Sequence, residues 1–120
     1  MMKPILVIDD DAGIQDLVRM TLEDEGYAVL VAGDGDDALE ILKNTTPALI
    51  LLDYMMPRMN GAQFIQEAEK QDLRDAIPLV LLTAANHAPS RAQEIGTDDY
   101  VGKPFDLADL LQTIERLITP

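Results

Sequence analysis

The chain lacks cysteine, and it lacks any apolar run long enough to span a membrane. Without cysteine it forms no disulfide bonds and performs no thiol chemistry, so a cytoplasmic location is the default expectation. A bilayer crossing needs roughly 20 apolar residues. The apolar run after Met1-Met2-Lys3-Pro4 has only four residues, 5–8, which is also too short for a signal peptide. We therefore expect no membrane insertion.

Basic residues are scarce, with 9 lysines and arginines against 22 aspartates and glutamates and a formal net charge of −13. A domain of this charge is repelled by nucleic acid and by anionic lipid, so we expect no direct nucleic-acid binding by it. Acidity also keeps ordinary proteins soluble, and it indicates little else about partners. The length of 120 residues and the hydrophobic fraction of 48% predict one domain, residues 1–120, with one sizeable core.

Short apolar runs alternate with segments of helical periodicity, which is the pattern of repeated βα units. Five strands are predicted, at residues 5–8, 27–32, 49–52, 79–82 and about 99–101. The first helix places apolar residues from Ile14 to Leu22 on one face and ends near Gly26. The last helix follows Pro104, with Asp106 as its N-cap. Strands one, three and four are almost wholly apolar, as in strands covered on both faces. Right-handed crossovers then give an α/β fold, a doubly wound sandwich of three layers.

Chemically active side chains follow the strand ends, and the carboxyl ends of parallel strands meet along one edge of a sheet. These side chains are Asp9, Asp10, Asp53, Thr83 and Lys103. Neighbouring carboxylates repel each other and raise one another's pKa unless a cation lies between them. Mg²⁺ suits such a set because it accepts a few carboxylates and keeps several waters. The aspartates of 9–11 alone also fit a solvated loop in which Asp11 caps the first helix.

A carboxylate beside Mg²⁺ is a candidate nucleophile toward phosphorus, and its attack gives an aspartyl phosphate. Such a transfer requires neutralisation of charge on the phosphoryl oxygens, to which Mg²⁺ and the Lys103 ammonium would both contribute. The Thr83 hydroxyl can donate a hydrogen bond to the phosphoryl group, and the small Ala84 leaves room for that group to enter. Each residue alone has a structural explanation, but their order on successive strand ends favours phosphoryl chemistry.

Together these residues resemble the receiver domain of two-component response regulators over essentially the whole chain. The matching segments are 5–11, 51–61, 81–84 and 96–105. The resemblance implies a flavodoxin-like parallel sheet of strand order 2-1-3-4-5 and a phospho-accepting signalling switch. It implies a phosphoacceptor that assists its own phosphorylation and dephosphorylation, not an enzyme. The implied partners are a histidine kinase or histidine phosphotransfer protein and, downstream, a protein or a fused effector domain.

The resemblance also implies roles for the acidic residues. Asp53 is similar to the phospho-accepting aspartate of the family. Asp10 would bind Mg²⁺ directly, and Asp9 would bind it mainly through water. The backbone carbonyl of Met55 would be a further metal ligand.

Three more roles follow from the resemblance. Lys103 would contact the phosphoryl group, and its bond to Pro104 would be cis. Thr83 and Tyr100 would form the switch pair, in which the threonine moves toward the phosphoryl group and the aromatic ring turns inward. Phosphorylation would then shift a pre-existing equilibrium between inactive and active forms.

The segment from Thr83 to Gly96 departs from the family pattern. It is about two residues shorter, and it carries Pro89 where the fourth helix would begin. Proline is tolerated only in the first helical turn, which leaves Ser90 to Ile95 for the helix. We therefore expect the fourth helix to be short, displaced or mobile, and inferences about partners from that face are weakened.

Two apolar residues flank the predicted site: Met55 follows Asp53 by two positions, and Ala85 follows Thr83 by two. Neither side chain can orient an attacking water by hydrogen bonding, so slow self-dephosphorylation is expected. The alternative is that Met55 merely packs over its loop and the rate is set elsewhere.

Other classes of protein remain open at this point. A Mg²⁺-dependent phosphatase of the dehalogenase type also uses a strand-end aspartate, but the chain is short and has no cap region. A flavodoxin-like mononucleotide binder would need a phosphate loop after strand one, where the aspartates of 9–11 would repel phosphate. A pseudo-receiver that acts only as an interaction module is a further alternative.

Overall fold

The computed structural model describes residues 3–74, 76–84 and 86–118. Strands and helices alternate along these residues, as the sequence predicts. The elements are β1 (Ile5–Ile8), α1 (Ala12–Asp24), β2 (Val29–Ala32), α2 (Gly35–Asn44), β3 (Leu49–Asp53), α3 (Gly61–Lys70), β4 (Leu79–Ala84), α4 (Ala88–Ile95), β5 (Asp99–Lys103) and α5 (Leu107–Ile118). No helix in this part of the chain combines the length and the apolar character that a bilayer crossing requires.

All neighbouring strands pair in parallel, in the order β2-β1-β3-β4-β5. The predicted flavodoxin-like α/β fold is therefore confirmed. β2 begins two residues later than predicted because the backbone N–H of Tyr27 donates to the Leu22 carbonyl at 3.1 Å and closes the end of α1 instead. β5 runs two residues further than predicted, and its last residue Lys103 pairs with Ala84.

The central strands are buried on both faces, which explains their continuous apolar sequence. Alternate residues contribute to two core clusters on opposite sides of the sheet. Leu6, Leu52 and Leu81 pack with residues of α2, α3 and α4. Val7 and Leu82 pack with α1 and α5. Each fully buried leucine or isoleucine contributes about 1.5–3 kcal/mol to folding. This core packing fixes the positions of the central strands and therefore of the residues at their carboxyl ends.

Side-chain caps hold the helices next to the carboxyl edge of the sheet. The Asp11 carboxylate accepts hydrogen bonds from the N–H groups of Gly13 and Ile14, at 2.8 and 3.2 Å. The predicted cap of α5 is also present, since Asp106 accepts from Ala108 N–H at 2.7 Å. Such caps satisfy backbone donors that the first helical turn leaves free. They therefore fix the loops that carry the predicted site residues.

The fourth helix is short, as predicted from Pro89. It has eight residues, or about two turns, and begins at Ala88 rather than Ser90. The earlier start is possible because proline fits the first turn of a helix, where its missing N–H has no helical partner. The helix ends at Gly96, whose φ of 69° lies in the left-handed region that favours glycine.

Candidate functional site

Three carboxylates converge at the carboxyl edge of the sheet. β1 and β3 pair with Ile8 opposite Leu52, so Asp9 and Asp53 follow at adjacent positions. Ligand oxygens of Asp9, Asp10 and Asp53 all lie within 4.8 Å of one another. Asp9 is fully buried and Asp53 is 4% exposed, whereas Asp10 is exposed. The fold thus brings together the acidic residues that the sequence singled out.

Lys103 joins this acidic cluster from the far edge of the sheet. Its ammonium lies 3.0 Å from an Asp9 carboxylate oxygen and 3.2 Å from one of Asp53. The side chain reaches β3 across the end of β4, where its pairing partner is the small residue Ala84. The bond between Lys103 and Pro104 is cis, as the sequence comparison implied.

The electrostatics of the site follow from this packing. Burial, together with repulsion from Asp9, raises the pKa of Asp53 from 3.8 to about 6, while the Lys103 ammonium opposes the rise. Burial by itself lowers the pKa of Lys103, but hydrogen bonds and attraction from Asp9 and Asp53 outweigh burial, and the net pKa is raised. Asp9 and Asp53 therefore share one ammonium. Because Asp10 adds a third carboxylate to the cluster, the site favours an additional cation.

The donor set fits Mg²⁺. Its ligands are carboxylate oxygens, and its exposed member, Asp10, leaves the cluster open to water. A small hard cation that retains several waters suits such a set. Asp9, Asp10 and Asp53 would hold the ion. The Met55 carbonyl stays a predicted ligand; the Met55 N–H donates to an Asp53 carboxylate oxygen at 3.3 Å.

Hydrogen bonds orient Asp9 within the cluster. One of its carboxylate oxygens accepts from the Asp11 N–H at 2.9 Å. The Gln15 side-chain amide donates to the Asp9 carbonyl. Sequence analysis missed Gln15, although a helix capped by Asp11 places this residue in the first turn of α1, beside the acidic pair.

The two predicted switch residues occupy different environments. Thr83 is buried at 1% exposure, and its hydroxyl accepts a hydrogen bond from Arg91 Nη1 of α4 at 2.9 Å. Tyr100 is 42% exposed. Their role as a switch pair stays a prediction. Sequence analysis also missed Arg91, since nothing in the local pattern of α4 indicates which strand end it contacts.

Met55 extends into solvent, with 63% of its surface exposed. This exposure disfavours the alternative in which Met55 merely packs over its loop. The prediction about Ala85 falls outside the described residues. Slow dephosphorylation stays a prediction from the apolar identities of Met55 and Ala85.

Comparison with known proteins identifies the family. Residues 5–115 match the model of the response regulator receiver domain. The phosphate regulon transcriptional regulatory protein PhoB of Escherichia coli is 38% identical over 120 residues, which cover 98% of this chain and 52% of PhoB. The chain thus spans about half the length of the curated relatives it matches.

Two solved structures resemble the whole domain. The chemotaxis response regulator CheY4 of Vibrio cholerae gives a TM-score of 0.88 at 32% identity, covering 98% of this chain and 99% of CheY4. The receiver domain of the sensor histidine kinase PA1611 of Pseudomonas aeruginosa gives 0.88 at 27% identity and covers 100% of both chains. That structure has a magnesium ion coordinated in its active-site cleft. With the match of nearly the whole chain to the family model, these likenesses confirm the resemblance seen in the sequence: the chain belongs to the family of response regulator receiver domains.

Proposed function

We propose that the domain is a phospho-accepting switch in which Asp53 receives a phosphoryl group in the presence of Mg²⁺. The observation that carries this proposal is the position of the Lys103 ammonium, 3.0 and 3.2 Å from Asp9 and Asp53, beside three converging carboxylates. A phosphoryl group that enters this site meets a nucleophile and a fixed positive charge together.

The proposed donor is a phosphohistidine on a histidine kinase or a phosphotransfer protein. A carboxylate oxygen of Asp53 forms the new bond to phosphorus, the phosphorus–nitrogen bond breaks, and its electron pair stays on the imidazole. The products are an aspartyl phosphate and a free histidine. Lys103 neutralises charge on the phosphoryl oxygens as they approach Asp53. Asp9, Asp10 and Asp53 would hold Mg²⁺ beside the acceptor, where the ion would supply further neutralisation of those oxygens.

The magnesium part of this proposal has two supports. The ligand set of Asp9, Asp10 and Asp53 consists of oxygens, as Mg²⁺ prefers. The related receiver domain of PA1611 holds a magnesium ion in its active-site cleft. The family relationship supports the same use of the cluster here.

We further propose that the phosphorylated domain acts on a downstream protein or on a fused effector domain, and that it is not itself an enzyme. PhoB, of which this chain covers 52%, is named a transcriptional regulatory protein, and the PA1611 receiver belongs to a sensor histidine kinase. About half of PhoB thus lies outside the part that this chain matches. The net charge of −13 argues against direct contact of this domain with nucleic acid.

The proposal is tested by intact-mass measurement after incubation with Mg²⁺ and acetyl phosphate. We expect the parent to gain one phosphoryl group and Asp53→Asn to gain none, because the variant lacks the nucleophile. Asp24→Asn is the matched control, since it removes one carboxylate at the exposed end of α1. Chelation of Mg²⁺ should prevent the adduct. Absence of an adduct in the parent, or its persistence in Asp53→Asn, would contradict the proposal.

A further inference from the structure

The Thr83 hydroxyl is held toward α4. Leu81 packs in the core cluster that includes Ala92 of α4, and Leu82 packs in the cluster on the opposite face. Because side chains alternate along a strand, Thr83 lies on the same face as Leu81. Its hydroxyl accepts the hydrogen bond from Arg91 Nη1 at 2.9 Å and is buried at 1% exposure. This bond directs the hydroxyl oxygen to the helix.

Arg91 is restrained by a second contact. Its guanidinium carbon lies 4.1 Å from the centroid of the Tyr54 ring, within the range of a cation–π interaction. Tyr54 directly follows Asp53, and its N–H donates to the Leu82 carbonyl at 2.9 Å. One arginine therefore contacts the residue after the nucleophile on β3 and the hydroxyl at the end of β4.

Arg91 also contributes to the packing of α4 against the sheet. α4 has only eight residues, and its buried positions are the small side chains of Ala88 and Ala92, at 1% and 6% exposure. Small residues contribute little apolar burial. Ile95 at the end of α4 also packs against the core, and the hydrogen bond and the ring contact of Arg91, which adjoins Ala92, add to this attachment of the helix to the sheet.

We propose that Arg91 is a positioning residue that holds the Thr83 hydroxyl on the α4 side in the unphosphorylated domain, so that phosphorylation must break this bond. The inference rests on the proposed function, because it presumes a phosphoryl group at Asp53. A hydrogen bond from a guanidinium is stronger than one between neutral groups. Turning Thr83 toward a phosphoryl group sacrifices this bond and frees Arg91 from β4. Arg91 thereby opposes the active form and connects the site to α4.

Removal of the arginine should favour the form in which Thr83 faces the phosphoryl group. The probe is beryllofluoride with Mg²⁺, a mimic of the phosphoryl group on a carboxylate. Its binding can be followed by the fluorescence of the 3 tyrosines, since the chain has no tryptophan, and Tyr54 adjoins Asp53. We expect Arg91→Ala and Arg91→Gln to bind beryllofluoride at least about fivefold more tightly than the parent, the low end of coupling between sites.

Two further variants separate the coupling from general effects. Arg19→Ala removes the same charge from the exposed face of α1, where Arg19 pairs with Asp16 and Glu23, and should leave the affinity unchanged. Arg91→Lys keeps a positive charge but lacks the planar guanidinium group with its several N–H donors. Its affinity for beryllofluoride should lie between those of the parent and of Arg91→Ala. Urea unfolding of each variant distinguishes loss of helix packing from loss of the coupling between Arg91 and Thr83. Loss of packing lowers the free energy of unfolding without tightening the binding of beryllofluoride.

A double-mutant cycle with Thr83→Val shows whether Arg91 acts through the hydroxyl. In the valine background there is no bond to break, so Arg91→Ala should no longer tighten binding. Unchanged or weaker binding by Arg91→Ala alone would overturn the inference, as would equal tightening in both backgrounds. A parent that binds no beryllofluoride and forms no adduct at Asp53 would overturn the proposed function, and the inference with it. A parent that binds while Arg91 has no effect would overturn the inference alone.

Discussion

Asp53 is held in a state that disfavours its charge. Two aspartates that are almost fully buried, Asp9 and Asp53, share the Lys103 ammonium. Burial and the Asp9 charge raise the pKa of Asp53 to about 6. In the unfolded chain this carboxyl titrates near its ordinary value of 3.8. Between these two values the folded protein binds more protons than the unfolded chain, so this group makes stability fall as the pH rises.

The first prediction concerns Asp53→Asn without metal. In EDTA the variant should be more stable than the parent at pH 7.5, by roughly 1 to 3 kcal/mol, because each unit of raised pKa corresponds to about 1.4 kcal/mol. The difference should shrink as the pH falls from about 6 toward 4, since the parent then binds a proton at Asp53. Urea unfolding between pH 4 and 8 measures it, with Asp24→Asn as the control. A variant less stable than the parent at every pH would contradict this assignment.

Residue identity was predicted better than residue environment. The strand-end positions of Asp9, Asp53 and Lys103 follow from short apolar runs, because in a parallel sheet those ends lie on one edge. The distances of the two carboxylates from the ammonium depend on how far the Lys103 side chain reaches across β4, and the raised pKa of Asp53 depends on how deeply the fold buries it beside Asp9. No local pattern contains that information.

At the scale of elements, α4 shows how two residues set the limits of a helix. Pro89 occupies its first turn, and Gly96 ends it with a φ of 69°. A Cβ built on Gly96 meets no atom within 4 Å. Any loss of stability caused by a side chain there therefore arises from the backbone conformation. L-amino acids other than asparagine and aspartate disfavour the left-handed region, which glycine adopts freely.

The second prediction is that Gly96→Ala lowers the free energy of unfolding by about 1 kcal/mol, the usual cost of a left-handed conformation with a Cβ. Gly96→Asn should lose less, because asparagine tolerates this region. Urea unfolding measures both. The left-handed assignment would be refuted if alanine were tolerated as well as asparagine.

The short helix was predictable because proline acts locally, while its first residue was not. Ala88 and Pro89 join the helix because a first-turn proline gives up no helical hydrogen bond. The start of β2 was predicted two residues too early because a backbone hydrogen bond at the end of the preceding helix was not foreseen. Tyr27 looks like a strand residue, but its N–H closes α1 onto Leu22.

At the scale of the whole molecule, a site that gathers carboxylates belongs to a chain that already carries an excess of negative charge. The net charge is −13, and three carboxylates converge at one sheet edge. A cation that binds there only in the folded state raises the free energy of unfolding in proportion to the logarithm of its concentration. The site is thus coupled to global stability.

The third prediction is that Mg²⁺ stabilises the parent, by about 2.7 kcal/mol when its concentration is one hundred times the dissociation constant. Asp10→Asn should abolish most of this gain because it removes the exposed ligand, whereas Asp24→Asn should retain it. Urea unfolding with and without MgCl₂, at ionic strength matched by NaCl, measures the effect. Equal gains in Asp10→Asn and in the parent would show that Mg²⁺ acts elsewhere.

The sequence by itself determined the βα order, the strand-end aspartates, the short fourth helix and the family, because each is expressed in runs of neighbouring residues. Only the tertiary structure decided that Lys103 lies between Asp9 and Asp53, and that Arg91 holds the Thr83 hydroxyl beside the Tyr54 ring. Those contacts join residues on different strands and helices. They depend on how α4 and β5 pack against the sheet, which the pattern along the chain does not specify.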